Sequence, residues 1–407
     1  MHPAQRKKEE KCNVKLFERH YSSTTGNLST SSAITNNGQL AFNRTNTITQ
    51  GTDFASVITG TGTLTQAGTG GTLILNGTNT YTGTTTVSAG TLQIGNGSTT
   101  GSLSTSSAIR IASTTANLTI NRSNAVAQGT DFSSAGISGT GNFIQAGNGT
   151  TTLNAANTYT GGTTISGGIL NLGVGQSGSG GPLGGSGTVA TVGTILFTGG
   201  TLQFSAANTT DYSSRFSESS GMAYRIDANG QTVAWGTARV PTGTGSLTKL
   251  GTGTLNISTS GNGWTGATTL SGGTLNVNTL AAVNTNSSIG KGSAGGSAAD
   301  LVFDSGTLQY TGSAAQTTDR LFTVTANGGS IDASGSNNAN PLTFTATGAL
   351  GASGTGARTL TLTGSNTGAN SLAGILVDPS SGATSLTKSD AGKWVLSGIN
   401  TVTVQVV

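Results

Sequence analysis

Side chains able to do acid–base or nucleophilic chemistry are scarce in this sequence and unevenly placed. The two histidines, His2 and His20, and the one cysteine, Cys12, all lie within the first 20 residues. A Ser-His-Asp or Cys-His arrangement, or a His-ligated metal site, would therefore have to recruit this short stretch. We expect no such site in the rest of the chain, and a single cysteine forms no intramolecular disulfide.

Aspartates are the remaining candidates for catalysis, because glycan-cleaving enzymes work with paired carboxylates. The four candidates are Asp211, Asp227, Asp319 and Asp332. Asp211 precedes Arg215 in one half of an internal duplication. Asp319 precedes Arg320 at the equivalent place in the other half. Repetition favours a structural ion pair or a turn cap over a catalytic pair.

Neither a metal nor a cofactor is expected. Asp53 and Asp131 recur in the segment QGTDF, where aspartate commonly bonds nearby backbone amides, and the nonapeptide series of calcium-binding β-rolls is absent. The stretch GVGQSGSGG at 173–181 lacks the Lys-Ser/Thr of a phosphate-binding loop. We expect this stretch to protrude as a loop between coils.

Threonine rows give a second, non-catalytic chemistry. Hydroxyl ladders on one flat face would bind a glycan or ice, and the candidates are Thr84, Thr85, Thr86, Thr163, Thr164, Thr268 and Thr269. The alternative is that threonine simply suits exposed strand positions. Tyr81, Tyr159 and Trp264 are likewise either a sugar-stacking strip or, as their fixed place beside a turn favours, rings that stack on each other between coils.

A motif of about 35 residues positions the candidate threonines and aromatics, because it recurs without a slip in spacing. Its copies lie at 60–95, 139–173 and 243–277, with a partial copy at 382–407. The fixed positions are an aromatic (Tyr81, Tyr159, Trp264), two glycines (Gly83, Gly161, Gly266 and Gly90, Gly168, Gly273) and a leucine (Leu92, Leu170, Leu275).

Within each copy, aliphatic and polar residues alternate over four or five positions, which is typical of short half-buried strands. Glycine and asparagine clusters separate the strands, so the chain turns after every few residues. One such unit cannot bury its own apolar side, so neighbouring units must stack. The sequence predicts an all-β parallel β-helix or β-solenoid over residues 26–407, with roughly 15 to 18 coils on the order of 70 to 90 Å long.

Charge is low and concentrated at the front. Charged residues make up 8% of the chain, and the formal net charge is +4. Residues 1–20 hold six Lys or Arg and three Asp or Glu, which leaves 12 − 11 = +1 for the remainder. A nearly neutral rod lacks the basic clusters of a nucleic-acid binder. Residues 1–25 are predicted to be a basic non-repeat tail, and no apolar run is long enough for a transmembrane helix.

The motif L-T-[QK]-x-G-x-G-x-L, followed by N-x-[YW]-T-G and G-G-x-L, resembles the autotransporter-associated β-strand repeat, also called the passenger-associated transport repeat. The resemblance implies a right-handed β-helical passenger region of a bacterial protein that is secreted or displayed on the outer membrane. It also implies export assisted by stepwise folding, no catalytic residues, and a translocator barrel that this chain does not contain. A host-surface or extracellular glycan or protein is the kind of partner such a stalk or adhesin meets.

Two departures qualify this expectation. No secretory signal is visible, so the export route stays open, and the last copy carries Val402 where the aromatic is expected. The sequence is therefore expected to be a fragment or a degenerate gene product. The alternatives to a non-enzymatic passenger are a β-helical polysaccharide lyase or hydrolase and a glycan- or ice-binding protein that uses threonine ladders.

Overall fold

The chain winds into a parallel β-solenoid of about 15 turns, which confirms the all-β class and the stacked architecture. The computed structural model describes residues 33–54, 57–185, 193–380 and 382–402. The predicted basic tail at 1–25, with its histidines and its cysteine, lies outside the described residues, as do residues 403–407.

The strands are two to six residues long and follow one another with turns between them. The first eighteen are β1 Ile34–Thr35, β2 Gln39–Phe42, β3 Thr47–Thr49, β4 Ile58–Thr59, β5 Thr63–Gln66, β6 Thr72–Leu75, β7 Thr85–Val87, β8 Thr91–Ile94, β9 Ile109–Ile111, β10 Asn117–Ile120, β11 Val126–Ala127, β12 Ser138–Gly139, β13 Asn142–Gln145, β14 Thr150–Leu153, β15 Thr163–Ile165, β16 Ile169–Leu172, β17 Ile195–Phe197 and β18 Thr201–Gln203.

The second half continues in the same way, and two single-turn 3-10 helices lie at Ser213–Arg215 and Ala298–Asp300. Its strands are β19 Ala223–Asp227, β20 Thr232–Trp235, β21 Ser246–Leu250, β22 Thr254–Ile257, β23 Thr268–Ser271, β24 Thr274–Val277, β25 Leu301–Phe303, β26 Thr307–Tyr310, β27 Gln316–Thr318, β28 Thr323–Thr325, β29 Gly329–Ala333, β30 Leu342–Phe344, β31 Gly351–Ser353, β32 Arg358–Thr363, β33 Asn370–Leu372, β34 Thr384–Lys388 and β35 Trp394–Leu396.

Alternation within each strand separates the core from the surface. In β8, Leu92 and Ile94 are buried, whereas the two residues between and before them are partly exposed. Leu92 pairs in register with Leu73 of the strand below and Leu118 of the strand above. Because most strands repeat this pattern in register, the inward side chains form one continuous apolar interior along the rod.

Six sheets form three faces, which the chain visits in a fixed order. The five-stranded sheet (β2, β5, β7, β9, β12) and a seven-stranded sheet (β20, β22, β24, β26, β29, β32, β34) succeed each other on one face, which we call the second face. The other seven-stranded sheet (β3 to β17) and the four-stranded sheet (β27, β30, β33, β35) make the third face. The two-stranded sheet (β1, β4) and the ten-stranded sheet (β11 to β31) make the first face.

The sequence repeat advances by one face from copy to copy. The first strand of successive copies is β5 on the second face, β13 on the third, β21 on the first and β34 on the second again. The reason is spacing: the repeat aromatics Tyr81, Tyr159 and Trp264 are 159 − 81 = 78 and 264 − 159 = 105 residues apart. Neither interval is a whole number of coils, so each new copy begins about one third of a turn further round.

Candidate functional site

The repeat aromatics are interior residues rather than an exposed strip. Tyr81, Tyr159 and Trp264 are all fully buried. Among the ring pairs of the described residues, none joins two of them: Tyr159 lies 6.2 Å from Phe143, and Trp264 lies 6.1 Å from Tyr224. The expectations of sugar stacking and of mutual stacking are both wrong, because successive copies start on different faces.

Each aromatic instead bonds a threonine four residues later. The Tyr81 and Thr85 hydroxyls are 2.6 Å apart. The Tyr159 and Thr163 hydroxyls are 2.7 Å apart. In the third copy the indole N–H of Trp264 donates to the hydroxyl of Thr268 at 2.9 Å. Burial raises the pKa of Tyr159 to about 12, so its hydroxyl stays protonated at neutral pH.

These bonds overturn the threonine ladders that the sequence suggested, because three of the seven hydroxyls are buried: Thr85, Thr163 and Thr268. Thr84 is exposed, and the remaining three are partly exposed: Thr86, Thr164 and Thr269. In the stacked strands Thr86 is followed by Arg110. Thr164 lies between Ile144 and Leu196. No continuous hydroxyl row passes through these positions.

The repeat glycines lie where coils come closest. A Cβ on Gly83, Gly161 or Gly266 would lie 2.2 to 2.6 Å from a carbonyl oxygen of the preceding coil. Gly90 has a φ of +62°, and a Cβ there would lie 2.3 Å from two carbonyl oxygens. Gly168 and Gly273 occupy the equivalent places in their copies. The repeat leucines Leu92, Leu170 and Leu275 line the interior, fully buried.

A polar residue on the inner side lies at or next to the end of the first strand of every copy, and sequence reasoning missed its role. The four residues are Gln66, Gln145, Lys249 and Lys388. The side-chain nitrogen of Gln145 donates to the Gly147 carbonyl at 2.8 Å. Lys249 donates to the carbonyls of Leu250, Gly251 and Gly272 at 2.8, 2.9 and 3.2 Å. The position of Lys249 two residues after the inward Leu247 was a usable signal, since the period of two in a strand places both side chains on the inner side.

Lys249 is a buried charge. Its side chain is 0% exposed, and burial lowers its pKa from 10.5 to about 8, while the charge of Asp227 acts in the opposite direction. The three carbonyls satisfy the ammonium protons. The group therefore closes a turn of the backbone from inside the solenoid.

The four candidate carboxylates all accept hydrogen bonds from backbone or side-chain groups of the protein. Asp211 accepts from the backbone N–H of Ser213 and of Gly236, both at 2.7 Å. Asp319 accepts from the Val283 N–H at 2.7 Å. These contacts make both residues turn or loop caps, which is one of the two structural roles that their repetition favoured.

The other two carboxylates end side-chain ladders. Gln203 donates to Asp227 at 2.8 Å, and Gln309 donates to Asp332 at 2.7 Å, at equivalent places in the duplicated segments. Among the residues that the structure describes, no group of three or more His, Cys, Asp or Glu is placed to hold a metal ion.

Arg215 and Arg320, the arginines at equivalent places in the duplication, are buried and hydrogen-bond backbone carbonyls of other segments. Arg215 donates to the Leu183 carbonyl at 2.9 Å, and Arg320 donates to the Gly290 carbonyl at 2.9 Å. Residues 180–185 are buried, and Gly184 lies against the Tyr159 ring. The expected protruding loop at 173–181 is therefore exposed only over 177–179, and the segment that follows it folds back over the repeat aromatic.

The outer side of the β20–β34 sheet on the second face is the most regular polar surface of the described chain. One column of seven paired residues runs along it: Thr232, Thr254, Thr274, Thr307, Ser330, Thr361 and Thr387. A second column lies two residues further along the strands: Ala234, Asn256, Asn276, Gln309, Asp332 and Thr363. Sequence reasoning missed this surface because its rows come from unlike segments, only some of them within a repeat copy.

Comparisons with known proteins agree with this geometry. The family model described as "Passenger-associated-transport-repeat" matches residues 64–94, 143–172, 247–277 and 386–403. The "Adhesin BmaC autotransporter" of Brucella suis biovar 1 (strain 1330) is 34% identical over 410 residues, covering 86% of this chain and 12% of the adhesin. The chain thus spans about an eighth of that relative's length. No solved structure matches.

Within the described ranges, no helix is both long and apolar enough to cross a membrane. The four matched segments coincide with the strands that start on successive faces, and the similarity to the adhesin extends through the coils between them. The chain is therefore a passenger-associated-transport-repeat protein.

Proposed function

We propose that this chain is a stretch of the passenger region of a bacterial autotransporter adhesin, displayed on the outer membrane surface or secreted, and that it acts as a non-enzymatic stalk. The repeat family and the adhesin relative support the proposal. The observation that carries it is the in-register stacking of strands around one apolar interior. A rod of about 15 turns at about 4.8 Å each holds its ends on the order of 70 Å apart.

Folding of such a rod assists its own export. Each strand pairs with the coil before it and the coil after it, as β24 does with β22 and β26. Leu275 stacks between Leu255 and Leu308, so a newly emerged coil covers the apolar top of the previous one. Burying one leucine side chain contributes about 2 kcal/mol, which opposes sliding of the folded coil back toward the cell.

The hydrogen bonds of the aspartates support a non-enzymatic role. A catalytic carboxylate must face substrate, whereas Asp211 and Asp319 accept from backbone amides and Asp227 and Asp332 accept from glutamine side chains. The adhesion partner that we propose is a glycan or protein of a host surface or of the extracellular matrix.

Surface display tests the export role. The chain is inserted into the passenger of an autotransporter, and surface exposure is measured with external protease and antibody. Leu92→Asp places a charge in the apolar interior and should stop display. Thr91→Asp, the matched control, adds the same charge one residue earlier on the outer side and should be displayed like the parent. Equal display of the two variants would show that coil folding does not drive export.

Refolding of the purified chain tests the stepwise mechanism. Hydrogen exchange during dilution from urea should show partial rods in which adjacent coils are protected before distant ones, because neighbouring coils supply each other's contacts. A single all-or-none transition with no stable partial rod would contradict coil-by-coil folding.

A further inference from the structure

The β20–β34 outer surface differs from the other faces in having one outward column that no aliphatic residue interrupts. Its first column, from Thr232 to Thr387, carries a hydroxyl at all seven positions. On the third face the equivalent outward positions include Ile74, Ile144 and Leu196. The first face includes the outward residues Ile169 and Val302.

The hydroxyl column is unused by the protein itself. None of its seven side chains hydrogen-bonds another residue that the structure describes, and all seven are at least partly exposed. The neighbouring amide column is largely satisfied internally: Asn276 donates to Asn256 at 3.1 Å, and Gln309 donates to Asp332 at 2.7 Å. The amides and the carboxylate therefore hold each other in place beside a row of free hydroxyls.

A depression of about 350 Å³ opens at the edge of this surface. Its polar walls are Ser305, Asn327, Ser330, Arg358, Thr359 and Thr361, of which Ser330 and Thr361 belong to the hydroxyl column. Arg358 is 2% exposed, and its guanidinium donates to the Val324 and Ser353 carbonyls at 3.0 and 2.9 Å. The volume falls at the lower end of the range for small-ligand sites. The hydroxyl column therefore borders this depression.

The walls of the depression are held rigidly. Ser305 has a φ of +74°, which is unusual for a residue other than glycine or asparagine, and its N–H donates to the Gly328 carbonyl at 2.8 Å. Asn327 donates to Asp304 at 2.7 Å, as does the hydroxyl of Thr325. These bonds lower the pKa of Asp304, so the carboxylate that orients Asn327 stays ionised.

We infer that this surface, defined by the hydroxyl column and the depression, binds a neutral glycan chain. Threonine and serine hydroxyls both donate and accept, as sugar hydroxyls do, and rows about 4.8 Å apart offer such groups repeatedly along a linear polymer. Asp332 is the one carboxylate in the two columns, and Arg358 at the depression is buried and bonded to backbone carbonyls, so charge does not select an anionic ligand. The outward residues supply no apolar anchor for a protein partner, and the recess interrupts the flatness that an ice lattice needs.

This inference deepens the proposed function, on which it rests for the setting in which the surface meets a glycan. The test uses the full chain and an array of neutral gluco-, galacto-, manno- and N-acetylated oligosaccharides, with sialylated and sulfated ones for comparison. Binding constants for the neutral oligosaccharides are then measured by calorimetry.

A triple variant, Thr307→Val, Ser330→Ala and Thr361→Val, removes three hydroxyls while nearly preserving shape. It should lose at least tenfold in affinity for a neutral oligosaccharide. The matched control, Thr72→Val and Thr91→Val on the third face, should bind like the parent.

Four outcomes would each overturn the inference. The chain could bind no neutral oligosaccharide, or the triple variant could bind with the same affinity as the parent. The chain could prefer sulfated or sialylated oligosaccharides, or it could inhibit ice growth without binding a glycan. The display assay separates the two proposals, because the triple variant leaves the interior intact and should be exported normally. If the parent chain bound a neutral glycan but was not displayed on the surface, only the export role would be refuted.

Discussion

Replacing Lys249 by glutamine should abolish a pH dependence of stability that the parent chain carries. The lysine is fully buried with a pKa of about 8 instead of 10.5, so it favours unfolding as long as it is protonated in the folded state. Between these pKa values the unfolded chain binds more protons than the folded one, and the free energy of unfolding rises with pH. For one group with these pKa values, the rise from pH 7 to 9.5 is about 2 kcal/mol.

The repeat itself provides the control substitution. Gln66 and Gln145 occupy the same place in the first two copies and donate an amide N–H to the equivalent turn carbonyls. Lys249→Gln should therefore keep a donor without a charge, and it should be at least as stable as the parent at pH 7. Lys249→Met removes every donor from the three carbonyls; it should lose the pH dependence as well and be less stable than Lys249→Gln by about 1 to 3 kcal/mol at all pH values.

Tryptophan fluorescence during urea unfolding reports on the coils around Lys249, because Trp235 and Trp264 are buried in neighbouring coils. A Trp394→Phe background removes the signal from the far end of the described solenoid. The midpoint of the parent should rise between pH 7 and 9.5, and that of Lys249→Gln should stay level. Parallel pH profiles of the two proteins would refute the assignment of a buried, partly titrating lysine.

Three further predictions concern the repeat positions. Gly90→Asn should lower the free energy of unfolding in urea by more than about 2 kcal/mol, because its Cβ would meet two carbonyl oxygens. Gly70→Asn is also at positive φ (+74°) but has no atom within 4 Å of a Cβ, so it should cost less than about 1 kcal/mol. Equal losses for the two variants would contradict the close approach of coils at Gly90. Thr163→Val should destabilise the protein by about 1 to 3 kcal/mol, since it leaves the buried Tyr159 hydroxyl without its hydrogen-bond partner. Thr164→Val on the outer side should change stability by less than about 0.5 kcal/mol. The urea midpoint of Thr163→Val should therefore lie below that of Thr164→Val. The free energy of unfolding should fall as pH rises from 10 toward 12, because the buried Tyr159 hydroxyl resists ionisation in the folded state. Tyr159→Phe should reduce that fall, and urea unfolding at each pH is the measurement.

Much of the fold could be predicted from the sequence because it depends on local alternation. The short aliphatic–polar strands and the turn glycines were readable from period and composition, and the solenoid they predict is confirmed. The inward position of Lys249 was equally readable from its parity with Leu247 on one strand. Its set of three carbonyl partners was not, because Gly272 comes from the next coil.

The surface assignments failed where they needed the relative rotation of distant segments. Thr85 and Thr163 belong to equivalent repeat positions, yet each hydroxyl points inward to its own aromatic ring. The glutamine–aspartate pairs span 24 and 23 residues between strands of adjacent coils, an interval that no local pattern reveals.

The sequence by itself determined that this chain stacks short parallel strands around an apolar interior, since side-chain alternation and turn residues act within a few positions. Which residues share a face was decided only by the tertiary winding. Because 78 and 105 residues between repeat aromatics are not whole numbers of coils, identical motifs rotate onto different faces. Unlike segments align instead, and the hydroxyl column from Thr232 to Thr387 is the result.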